Sequence, residues 1–118
     1  MNDVLIHTII EHTKVMFYNF SITLKTCDMD TILCDMPIWK HVYHTLHSLD
    51  QWYINPEVYT EPDFHEPNLN SLDDYDNKKV LSRELLIDYF ESIQEKIMEY
   101  LGSLSAVSYT HLRAHETP

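Results

Sequence analysis

Apolar residues recur at helical spacing in three stretches of this chain, and no stretch alternates long enough to mark a sheet. Over residues 2–26, Leu5, Ile9, His12, Met16 and Phe20 form one stripe, and Ile6, Ile10, Phe17 and Leu24 form the adjoining one. Together they predict a first helix with a wide buried face, capped by Asn2 or Asp3, with His7, Glu11, Lys14 and Lys25 falling outside it. A second helix is predicted over about residues 37–54. Pro37 sits in its first turn, Asp35 is the candidate cap, and Asn55-Pro56 ends it. Its apolar centre is Ile38, Val42, Leu46, Leu49 and Tyr53. The third helix has the clearest period, through Leu86, Phe90, Ile93, Ile97 and Leu101. Ser82 should cap it, Glu84 suits its first turn, and Gly102 is the expected C-cap.

Between the helices lie two connections. Residues 28–36 form a short one. Residues 57–81 carry no helical or strand period; Pro56, Pro62 and Pro67 interrupt the first half, and residues 68–77 are polar and acidic. A connection of this length in a compact domain is usually functional or disordered. Tyr59, Phe64, Leu69 and Tyr75 are the residues expected to pin it to the helices. The predicted fold is therefore all-α: an antiparallel up-down bundle with three helices present over residues 1–104, where four would close a bundle more often.

Composition narrows the function. One glycine among 118 residues leaves no glycine-rich phosphate cradle. A formal net charge of −11 repels phosphate backbones, which argues against nucleic-acid partners. No apolar run approaches the roughly 20 residues of a membrane span. Cys27 and Cys34 could be thiols or a short bridge; without a secretory leader the expectation is free thiols and a cytoplasmic location.

The chemistry concentrates in histidine. His41, His44 and His47 recur every third residue of the second helix and fall within an arc of roughly 120°. Imidazole is the commonest metal ligand, but one helix can offer only one or two such ligands to a single ion. The stripe also lies largely opposite the apolar centre, so spacing alone equally fits a solvated polar face. His65, between Asp63 and Glu66 on the long connection, could close over a metal site or be solvated there. His7 and His12 do not share a face cleanly, and His12 lies on the apolar stripe, as a core histidine would. Asp73, Asp74 and Asp76 are the densest carboxylates, but the glycine and closing glutamate of a calcium loop are missing. No Ser-His-Asp or Cys-His arrangement has motif support.

The segment from Trp39 through Tyr43-His44-Thr45-Leu46 to Asp50 and Tyr53 resembles the second helix of the DinB/YfiT-like proteins. That resemblance implies a four-helix bundle holding a divalent metal, nickel or zinc, on three histidines. One comes from helix 2 and two come from a His-x-x-x-His motif on helix 4. By position it implies His44 as the helix-2 ligand, with His41 and His47 as alternates. Trp39, Tyr43 and Trp52 would shape the surroundings, and Asp50 would orient a neighbour. It also implies a metal-dependent enzyme of the hydrolase or thiol-transferase class, acting on a small molecule or thiol. The alternative is a non-catalytic helical interaction module, for instance a homodimer. The sequence carries no His-x-x-x-His before residue 104. Residues 105–118 resemble a peptide produced when sequencing-adapter DNA is translated at the end of a reading frame. The natural chain is therefore expected to end near Leu104 with its continuation missing, and His111 and His115 count as ligands only if the tail is native.

Overall fold

The computed structural model describes residues 3–72 and 78–116, with side chains through residue 104. The chain forms helix α1 (Asp3–Thr26), a two-stranded hairpin of β1 (Ile32–Leu33) and β2 (Met36–Pro37), helix α2 (Ile38–Trp52), a single 3₁₀ turn (Pro56–Val58) and helix α3 (Arg83–Glu116). The all-α class expected from periodicity is the class observed.

α3 is the central element, packing against both α1 and α2. Its stripe of Leu86, Phe90, Ile93, Ile97 and Leu101 is buried as the pattern predicts. Phe90 meets Phe17 edge-on and stacks with Phe20, so α1 and α3 run antiparallel, the end of one beside the start of the other. Arg83 fastens that junction by donating to the carbonyls of Leu24 and Cys27, where the carbonyl end of α1 favours a cation. α2 and α3 run the same way, Tyr43 beside Tyr89 and Asp50 beside Lys96, so the expected up-down order holds between α1 and α3 but not between α2 and α3. The long connection makes this possible, because it carries the chain back along α2 before α3 starts.

Three local expectations are corrected. The buried face of α1 is narrow: Ile6, Phe17 and Leu24 are buried, whereas Leu5 and Met16 are exposed and His12 lies at the surface. α1 packs mainly on α3, so the side of the predicted face that carries Leu5 and Met16 has no helix to cover it among the described residues. Asp35 does not cap α2. Pro37 occupies the cap position with no side-chain bond, and the first amides find backbone instead, Ile38 N–H donating to Thr31 O (2.9 Å) and Trp39 N–H to Met29 O (3.0 Å). Asp35 and Cys34 form the hairpin turn, both with positive φ, 66° and 51°. Gly102 does not end α3. The helix begins as expected, with Leu85 N–H donating to Ser82 Oγ (3.1 Å), but its backbone continues through Gly102 to Glu116. Residues 103–116 contain no further glycine or proline, and a single interior glycine costs a helix only about 1 kcal/mol.

Cys27 and Cys34 are free thiols. Among the described residues no helix is long and apolar enough to cross a membrane.

Candidate metal centre

The long connection is packed. Asn55 Oδ1 accepts from Glu57 N–H (3.0 Å) and starts the 3₁₀ turn that delivers Tyr59 and then Glu61. Phe64 packs against Tyr43 and Tyr89. Leu69 is fully buried, following Asn68 in a left-handed conformation (φ 67°). Lys79 donates to Phe64 O (2.7 Å) and pairs with Glu66 (3.0 Å). The connection thus folds back over the side of α2 that carries Tyr43 and His47. It buries a side that the helical wheel assigns partly to water, and His47 is only 3% exposed.

There His47 meets two residues of the connection. His47 Nε2 lies 2.7 Å from Glu61 Oε2, and His65 Nε2 lies 3.6 Å from the same oxygen. The ligand atoms of His47, Glu61 and His65 all fall within 4.8 Å of one another, so the group could hold a metal ion. The two imidazoles stack with centroids 4.8 Å apart. His65 Nδ1 is 2.7 Å from Tyr43 Oη; a proton on Nδ1 donated to that oxygen leaves Nε2 free to ligate. The side-chain amide of Asn70 lies 3.4 Å from His47 Nδ1.

A phenol completes the cluster. Tyr59 Oη donates to Glu61 Oε2 (2.9 Å) and lies 3.0 Å from His47 Nε2. Behind the cluster, the hydroxyl of Tyr89 donates to Asp50 Oδ2 (2.7 Å). Asp50 pairs in turn with Lys96. Asp50 does orient a neighbour, and that neighbour is Tyr89.

The electrostatics suit a cation. Burial raises Glu61, but the hydrogen bonds from His47 and Tyr59, with the charges of His47 and His65, bring its carboxyl below the ordinary value. Burial lowers His65 most; Glu61 and Glu66 oppose this, and His47 and Lys79 add to it. The outcome is a carboxylate beside an imidazole biased toward its neutral, ligating form. Burial above all, with nearby carboxylates, pushes Tyr43, Tyr59 and Tyr89 above the usual phenol range.

The other sequence candidates lie outside this group. His44 is exposed, its Nδ1 2.8 Å from Asn70 O, and His41 Nε2 lies 2.6 Å from Leu33 O. His47, an alternate in the sequence reading, is the histidine of that stripe which the structure brings to other donors. Trp39 is buried and Trp52 is 63% exposed. Asn2, Asp73, Asp74, Tyr75 and Asp76 lie outside the described residues. So do the side chains of His111 and His115, whose positions fall on the helical backbone of α3. Glu61 was not visible as a ligand beforehand. It is one acid among 19, and no spacing rule links it to His47.

No family model, curated protein or solved structure matches this chain.

Proposed function

We propose that this chain is a divalent-metal-dependent enzyme of the DinB-like kind, a hydrolase or thiol transferase, with its metal held by His47, Glu61 and His65. The observation that carries this reading is the convergence of those three ligand atoms within 4.8 Å. Two imidazoles and one carboxylate are a donor set used by catalytic zinc sites, and nickel accepts the same ligands. Bonds of about 2.0–2.2 Å to a tetrahedral ion would separate the donors by roughly 3.3 Å, so the observed atoms need shifts of only about an ångström. Such an ion would supply Lewis acidity to a small-molecule or thiol substrate. The chain's own residues do the rest. Tyr43 fixes the ring of His65, Asn70 sits against His47, and Phe64 and Tyr89 keep bulk water from one side of the cluster. The helix-2 likeness to DinB-like proteins supports the class, with His47 in the role that the likeness gives to His44. The free thiols of Cys27 and Cys34 fit a cytoplasmic location.

The test is metal content after dialysis against a zinc or nickel buffer, read by mass spectrometry. The wild type and His44→Ala should retain about one ion per chain, while His47→Ala and Glu61→Gln should lose it. Metal retained by His47→Ala, or lost by His44→Ala alone, would move the site elsewhere.

A second reading, self-association, is favoured by one observation. A groove of about 200 Å³ runs between α1 and α2, walled by Met16, Phe20, Leu49 and Tyr53 and floored by Phe90 and Ile97. Met16 is 70% exposed. The occupant that fits is α1 of a second copy, bringing its own uncovered stripe. Light scattering across a concentration series should show a dimer that Met16→Glu dissociates; a monomer throughout would dismiss this reading.

A further inference from the structure

A site with two imidazoles and one carboxylate leaves a coordination position that water or substrate would normally take. Here the nearest candidate is a side chain. Tyr59 Oη lies 3.0 Å from His47 Nε2 and 2.9 Å from Glu61 Oε2. Both separations are close to the roughly 3.3 Å edge of a tetrahedron built with metal–ligand bonds of about 2.0 Å. Tyr59 is also firmly placed. Its ring packs edge-on against His47 with centroids 5.6 Å apart, and its amide donates to Pro56 O (3.4 Å). Tyr43, the other phenol at the cluster, lies against Nδ1 of His65, the ring nitrogen that does not face Glu61.

We propose that Tyr59 is the fourth donor of this centre, so that the resting site carries two nitrogens from His47 and His65 and two oxygens from Glu61 and Tyr59. On coordination the phenolic O–H bond breaks, the oxygen–metal bond forms, and the proton passes to solvent; no electron is transferred. The hydrogen bond that Tyr59 now donates to Glu61 is then replaced by shared coordination. The inference rests on the proposed metal centre and adds to it a self-capped coordination sphere. A substrate would have to enter beside Tyr59 or displace it.

Phenolate bound to a ferric or cupric ion absorbs visible light by charge transfer, whereas imidazole and carboxylate ligands alone do not give that band. The full chain is titrated with each of these ions as a probe, and absorbance is followed together with bound metal per chain. The expected result is an intense charge-transfer band, well above the weak ligand-field absorption of a cupric ion on nitrogen and oxygen ligands, saturating at about one ion per chain. Tyr59→Phe should lose the band while still binding metal about tenfold more weakly, and Tyr43→Phe should keep the band. Stoichiometric metal binding without the band, or a band that survives Tyr59→Phe, would overturn the inference and leave the three-residue centre standing. Failure of the wild type to bind either ion, or zinc and nickel, would overturn both. Circular dichroism of the two phenylalanine variants separates loss of the donor from loss of the fold.

Discussion

At the scale of single residues, the decisive difference lies between His44 and His47. They sit three positions apart on one helix, yet one ring is at the surface and the other is buried against Glu61, Tyr59 and His65. The difference comes from the connection, which encloses His47 but, among the described residues, meets His44 only at Asn70 O. The ionisation of that cluster sets a pH dependence whose sign is fixed. His65 and Glu61 both have folded values below their unfolded ones, so the unfolded chain takes up protons first and stability falls as the solution is acidified. The share of His65 is lost as pH drops from about 6.5, and that of Glu61 as it drops from about 4.3. Melting temperature of the metal-free protein, measured against pH, should therefore begin to decline near pH 6.5; in His65→Asn that first limb should flatten. A profile unchanged by the substitution would mean that another group governs it. Sequence alone made the histidine-bearing helix legible and placed His47 among its candidates. It could not choose His47, because the choice depends on Glu61 and His65, 14 and 18 positions away. No local rule sets contacts at that distance.

At the scale of elements, helix existence and type followed from periodicity, and the errors fell at the ends. The reason is visible in where backbone freedom is used. The single glycine, Gly102, stands inside a helix, where an added Cβ would meet nothing within 4 Å. The positive-φ positions Cys34, Asp35 and Asn68 all carry side chains. Glycine is thus a misleading stop signal here, and the tight hairpin turn has no glycine to announce it. Two substitutions follow from this mismatch. Gly102→Ala should raise stability by about 0.5–1 kcal/mol by removing backbone freedom from the unfolded chain. Cys34→Gly should raise it by about 1 kcal/mol through relief of the left-handed penalty. Urea unfolding midpoints at constant slope would check both, and a lower midpoint for Gly102→Ala would contradict a continuous helix through that position. The hairpin itself, two residues per strand, was too short for any alternation to register.

At the scale of the whole molecule, the arrangement is a central α3 with α1 and α2 on it and a long segment wrapped over α2. The amphipathic stripes predicted that core, from Phe17 and Leu24 through Leu46 to Ile97. They did not predict that the segment with least pattern would supply most of the polar site. That segment spends its hydrophobic residues singly, Phe64, Leu69 and Leu81 each filling one place in the core, and single anchors leave no period to read. Its role has a mechanical consequence. Two of the three proposed ligands belong to it and the third to α2, so an ion held there would staple the strap to the helix and favour the folded state by binding it selectively. Chymotrypsin, which cuts beside aromatic residues, would then find Tyr59 and Phe64 shielded. Fragments ending at those positions should accumulate several-fold more slowly with zinc than with a chelator, and equal digestion in both would show that no such staple forms.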